Sequence, residues 1–127
     1  MKTAKQKLAQ ENMDLWKEVC LGLWGDRCII SGEEGITFHH FIPKSKNGLM
    51  IYDEKNGVPL SKKYHYIIHF SKNPAEVHRV IETIRQKRGK KWCDYIDEHE
   101  KIHASSFKTL QWLQDVNKKL INKLKKI

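Results

Sequence analysis

The sequence predicts an α+β chain in which a small strand–loop–strand–helix element is set in an otherwise helical single domain. Three observations carry this reading. Residues 3 to about 20 and much of 74 to 127 space apolar side chains at three- and four-residue intervals, the period of an amphipathic helix. Ile36 to Ile42 (ITFHHFI) is instead dense in β-branched and aromatic residues and is closed by Pro43, which reads as a strand. A second, shorter strand, Val58-Pro59-Leu60, follows the turn dipeptide Asn56-Gly57, and its proline suits an edge or end position.

Each remaining element has a local cause. In the first helix Leu8, Leu15, Trp16 and Val19 form an apolar face, and Gly22 and Gly25 break the pattern around Trp24. A short apolar segment from Arg27 to Ile30 ends in the turn signal Ser31-Gly32-Glu33-Glu34-Gly35, and Lys44 to Lys55 reads as a loop containing Asn47-Gly48. Ser61 is placed to cap a helix over Lys62 to Phe70. Asn73-Pro74 starts another, with Glu76 positioned for a capping box, Val77, Val80, Ile81 and Ile84 on one face, and Gly89 as the stop after Arg88. A further helix is predicted from about Lys91 to Ile102. The segment Ser106 to Ile127, with Phe107, Leu110, Leu113, Leu120, Leu124 and Ile127, reads as a packed amphipathic helix with a solvated lysine face.

Composition bounds the function. The chain has 127 residues, 39% hydrophobic and 31% charged, which suits a folded soluble domain with a modest core. Lys and Arg number 24 against 15 Asp and Glu, a net +9, and a pI near 9.5 points to a polyanionic partner. No apolar run approaches the ~18 residues of a bilayer span, and the start MKTAKQKLAQENM has no apolar signal-peptide core. Three cysteines at irregular spacing make a poor disulfide framework, so a reducing, cytoplasmic setting is expected (the host cytoplasm for a phage-encoded chain).

The histidines carry the chemistry. His39 and His40 are neighbours on the predicted strand, so they face opposite sides. His65 and His69 lie four apart on the following helix and share a face. Given the His39-His40 pair, two more histidines at those positions arise by chance in about one chain in 300 of this composition. Three neutral imidazoles with an open position suit Zn²⁺ or another divalent first-row ion such as Ni²⁺ or Mn²⁺, and suit Mg²⁺ less well because it prefers oxygen ligands.

The order His-His, then Asn56, then His-x-x-x-His across strand, loop, strand and helix resembles the HNH nucleases, whose fold is the ββα-metal or His-Me finger. The histidine spacing is most similar to bacteriocin nuclease domains, and HHFIPKS and NGVPLSKKYH are similar to HNH proteins of phage and mobile elements. The resemblance covers about residues 28 to 70. It implies His39, His65 and His69 as metal ligands, His40 as the general base, and Asn56 as the residue holding loop and strand in register. It implies a metal-dependent DNA endonuclease leaving 5′-phosphate and 3′-hydroxyl ends. The alternative is a non-catalytic DNA-binding module using the histidines as a structural metal site.

Many HNH proteins carry two Cys-x-x-Cys pairs; here Cys28-Ile29-Ile30-Ser31 keeps one cysteine and Cys20 and Cys93 complete no set, so packing by the flanking helices is expected to replace a zinc knuckle. His99-Glu100-Lys101-Ile102-His103 matches the H-E-x-x-H protease signature, but no glutamate follows Glu100 to serve as a third ligand, and a solvated helix face is the expected reading. His78 is assigned no function. Candidate DNA contacts are Arg27, Lys44, Lys46, Arg85, Lys87 and Arg88. Trp24, Trp92 and Trp112 are expected in the core, and the amphipathic helices offer an interface for a homodimer.

Overall fold

The computed structural model describes residues 1–102 and 108–127. The order is α1 (Ala4–Trp24), β1 (Ile36–His40), two 3-10 turns (Gly48–Tyr52 and Glu54–Asn56), β2 (Gly57–Ser61), α2 (Lys62–Phe70), α3 (Pro74–Arg88), α4 (Lys90–Glu100) and α5 (Leu110–Lys125). This is a mostly helical α+β arrangement with one two-stranded antiparallel sheet. Among the described residues no helix is long and apolar enough to cross a membrane.

Caps explain most boundaries. Thr3 and Gln6 form a reciprocal capping box that starts α1, and Gly25, at φ 82°, ends it. The Asn73 side chain accepts from the Ala75 amide at the start of α3. Glu76 does not close a box on Asn73: it accepts from the Ser71 hydroxyl at 2.9 Å, while the Asn73 amide donates to Ser71 Oγ. Ser61 precedes α2 without a side-chain cap bond, and its buried Oγ has no partner among the described residues. Within the predicted loop, Asn47 and Asp53 accept from the amides of Leu49 and Lys55, folding residues 48–56 into the two 3-10 turns. Helix α4 stops at Glu100, short of Ile102. His103, Ser106 and Phe107, on which the protease match and the start of the predicted tail helix fall, lie outside the described residues.

The sheet is the hub. Its register pairs Ile36 with Ser61 and His40 with Gly57, and every residue of β2 is buried. One apolar cluster, with Ile42, Leu60, Ile84 and Ile96, fills the side toward α3 and α4. A second, with Trp16, Val19, Leu113 and Leu120, lies between α1, α5 and the first 3-10 turn. Asn12 ties the two long helices together, donating to Leu113 O at 3.0 Å and accepting from Asn117 Nδ2 at 3.0 Å.

Asn56-Gly57 reads as a turn dipeptide, but Gly57 opens β2 with an ordinary φ of −92°. Its glycine is required by packing: a Cβ there would lie 2.5 Å from Cys20 Sγ and 3.0 Å from Trp16 Cζ2. Cys20 and Cys28 are buried free thiols and Cys93 is half-buried.

Candidate functional site

Strand β1 ends two residues before the predicted Ile42 because a side chain takes over the ladder. Asn56 Oδ1 accepts from Ile42 N at 2.6 Å, and Asn56 Nδ2 donates to Ile42 O at 3.0 Å and Met50 O at 3.2 Å. Its own carbonyl accepts from Phe41 N at 3.0 Å. Asn56 is fully buried, so these bonds meet the needs of groups with no access to water. They fix the end of the histidine-bearing strand to the loop.

That loop is gripped from both sides. Trp16 and Trp24 of α1 donate their indole N–H groups to the carbonyls of Asp53 (2.7 Å) and Glu54 (2.9 Å), and Trp92 of α4 donates to Lys55 O (2.7 Å). Three consecutive carbonyls are thus satisfied by three tryptophans. The Arg88 guanidinium lies 3.5 Å from the Trp24 ring centroid and 5.2 Å from that of Trp92, and donates to Gly57 O at 2.9 Å. Burial lowers its pKa to about 10, which leaves it charged at neutral pH.

On this frame the pleat sends His39 and His40 to opposite sides. His39, 8% exposed, faces α2: its ring centroid is 5.3 Å from that of His65 and 5.0 Å from that of His69. Nitrogens of the three rings all lie within 4.8 Å of one another, close enough to hold a metal ion together. His65 Nε2 and His69 Nε2 are 3.2 Å apart, the separation at which one proton is shared or two lone pairs meet one ion. Two nitrogens bound at tetrahedral angles to Zn²⁺ sit roughly 3.3 Å apart, so this edge needs little adjustment. Burial holds His39 at a pKa of about 3, reinforced by His65, His69 and His40, and burial followed by His69 lowers His65 as well. Both rings are therefore neutral at pH 7 and present lone pairs. The donor set fits a divalent first-row ion; among the described residues it contains no carboxylate.

His40 points toward α1. It stacks on Trp16 with centroids 4.2 Å apart and planes 9° from parallel, and its Nε2 is 2.8 Å from Ile51 O. A carbonyl only accepts, so Nε2 carries the proton and Nδ1 keeps the lone pair. Burial lowers the His40 pKa, Lys44 and Lys17 lower it further, and the Ile51 bond works against them. A cleft of about 540 Å³ is lined by all four histidines together with Trp16, Lys17 and Lys44.

The other basic residues are placed differently. Lys44 lines the cleft and Lys87 is exposed on α3. Arg27 is outside the cleft and pairs with Glu34 at 3.1 Å. Lys46 pairs with Glu100 at 2.5 Å, and Arg85 makes a two-pronged pair with Asp97 at 2.9 and 3.0 Å. Arg88 is half-buried, its guanidinium set against two indoles and bonded to Gly57 O, with Nη1 unpartnered among the described residues. Lys17 also lines the cleft; it lies one position after Trp16 on α1, where the sequence periodicity marks only the apolar face. His99 and Glu100 are half-buried rather than solvated: His99 Nδ1 bonds Tyr95 O at 2.8 Å and the His99 carbonyl accepts from Asn47 Nδ2 at 2.8 Å. They brace the loop.

No protein-family model, curated protein or solved structure matches the chain.

Proposed function

We propose that the protein is a metal-dependent DNA endonuclease of the HNH type. One observation carries the reading: a three-imidazole set able to hold a divalent ion shares a basic cleft with a fourth, neutral imidazole whose proton is assigned to the far nitrogen. His39, His65 and His69 would hold the ion, which when bound supplies Lewis-acid stabilisation of charge developing on the scissile phosphate. His40 is the general base: Nδ1 takes a proton from water as its oxygen attacks phosphorus, and Ile51 O stabilises the imidazolium that forms. The bond from phosphorus to the 3′ oxygen breaks and that oxygen takes a proton from solvent water, leaving 5′-phosphate and 3′-hydroxyl ends. Lys17 and Lys44 attract the phosphate backbone, and Asn56 and Trp16 keep the base in place without touching substrate.

The test pairs cleavage with metal binding. His40→Ala should lower cleavage of whichever of plasmid, branched or single-stranded DNA the wild type cuts in Mn²⁺, Ni²⁺, Zn²⁺ or Mg²⁺ by about 100-fold or more while leaving Co²⁺ titration unchanged. His65→Ala should abolish both. Wild-type protein that binds the metal and DNA yet cuts no plasmid, branched or single-stranded DNA would support a structural metal site in a DNA-binding module instead.

A further inference from the structure

The helix that carries His65 and His69 also displays the most exposed aromatic rings among the described residues. Tyr66 is 63% exposed and Phe70 is 67% exposed, although α2 has abundant chances to turn such rings inward: Tyr64, Ile67 and Ile68 of the same helix pack against the core. Tyr66 and Phe70 are one turn apart with centroids 5.1 Å from each other, and Phe70 is 6.1 Å from His69. A continuous row of three rings therefore runs from open solvent to the edge of the metal set.

The surroundings of this row are basic. Lys62, Lys63 and Lys72 are exposed beside it, and none of them forms an ion pair among the described residues. Lys63, Tyr66, Phe70 and Lys72 line one shallow depression. Its acidic member, Glu76, is bonded to the Ser71 hydroxyl. Exposed π-faces among lysines match a strand of unpaired nucleotides, whose bases stack while its phosphates meet the cations. Duplex DNA offers no such match, because its base faces are already stacked on each other.

We infer that Tyr66 and Phe70 form a stacking platform for unpaired bases flanking the scissile phosphate, so that the substrate is single-stranded DNA or DNA with a single-stranded stretch. The inference rests on the endonuclease reading for the word substrate, but the platform itself is testable by binding alone. A strand laid along α2 from Tyr66 toward His69 would enter the cleft beside His39 and His40.

The experiment uses the full chain and fluorescence anisotropy with labelled oligothymidylate and with a duplex of the same length. Tyr66→Ala and Phe70→Ala should each weaken oligothymidylate binding by about 10-fold, and the double variant by more, with duplex binding changed less than about 2-fold. Tyr66→Leu and Phe70→Leu should lose affinity like the alanine variants, whereas Tyr66→Trp and Phe70→Trp should retain it, which separates stacking from burial of apolar area. Unchanged oligothymidylate affinity in the double variant overturns the proposal, as does a change confined to self-association in sedimentation, which would assign the face to a second copy of the chain. If binding follows the rings but wild-type protein cleaves nothing, the platform stands and the nuclease reading falls. If His40→Ala abolishes cleavage but the ring variants bind normally, the reverse holds.

Discussion

The imidazole of His40 lies flat against the indole of Trp16, and the same indole donates through Nε1 to Asp53 O. One fully buried side chain thus positions the candidate base and anchors the loop whose Ile51 carbonyl sets its tautomer. Trp16→Phe keeps an aromatic face but removes one of the two donors to Asp53 O, which retains the Asn56 amide at 3.0 Å. It should cost about 1 kcal/mol in urea unfolding. Cleavage at saturating DNA should fall about 10-fold through misorientation of the base, with KM and Co²⁺ affinity unchanged. An equal loss of metal affinity would show that Trp16 supports the whole site rather than His40.

Asn56 faces one amide and two carbonyls, so its amide nitrogen cannot be replaced by an oxygen without conflict. Asn56→Asp should destabilise the protein by about 3 kcal/mol at pH 8, since a buried carboxylate would then face the carbonyls of Ile42 and Met50. A protonated carboxyl can donate to one of them, so the folded pKa of that Asp is raised. Relative to wild type, the variant should regain stability as pH falls below that raised value and lose it as pH rises through it. A difference from wild type that is flat between pH 5 and 8 would count against this hydrogen-bond assignment.

The opposite facing of His39 and His40 and the pairing of His65 with His69 were legible because strand alternation and i, i+4 helix spacing are local rules, whereas the joining of His39 to that pair followed only from the resemblance. What holds that unit was not legible. The indole donors of Trp16, Trp24 and Trp92 meet carbonyls 30 to 37 positions away in the chain, and no spacing rule connects them. Arg85, Lys87 and Arg88 form one basic run on paper, yet the turn of α3 sends Arg85 to Asp97 and Arg88 against the indoles, leaving Lys87 in solvent. The purpose of Gly57 was hidden for the same reason: the atoms that forbid a Cβ belong to α1.

That division of the basic residues separates two kinds of lysine and arginine experimentally. Lys44→Ala should leave stability within about 0.5 kcal/mol of wild type and reduce the slope of log K for DNA against log salt by about 1. Arg88→Lys should do the opposite, destabilising by about 1–3 kcal/mol as the planar contacts with Trp24 and Trp92 and the bond to Gly57 O are lost, with the salt slope unchanged. A smaller slope in Arg88→Lys would place Arg88 among the DNA contacts.

Metal-free protein should weaken on acidification well before its carboxylates titrate. His39 is held at about 3 by burial and by its histidine neighbours, against ~6.5 in the unfolded chain. Its folded pKa is depressed, so between these values the unfolded chain binds the proton and the folded one does not. The associated stability is complete above pH 6.5 and declines as pH falls toward 3. At 1.36 kcal/mol per unit, urea unfolding in EDTA should lose about 2 kcal/mol from this residue between pH 7.5 and pH 5. His39→Gln should remove that part of the slope; an unchanged slope would place the acid sensitivity elsewhere.

Gly57 and Cys20 should behave as one unit. Gly57→Ala drives a methyl to 2.5 Å from Cys20 Sγ and 3.0 Å from Trp16 Cζ2, so something must move, and a cost of about 1–3 kcal/mol is expected. Cys20→Ala alone should cost about 1 kcal/mol or more, because it empties a fully buried site. Combined, the two substitutions exchange one volume for the other: the sulfur leaves and the methyl enters the space. The double variant should therefore be more stable than the sum of the singles implies, by about 1 kcal/mol or more in a double-mutant cycle. Because the Trp16 contact remains tight, rescue should be incomplete, and the residual strain should fall on the indole that stacks on His40. Cleavage by the double variant should accordingly stay below wild type even where its stability is restored, whereas recovery of both together would mean that Trp16 relaxes freely and does not orient the base.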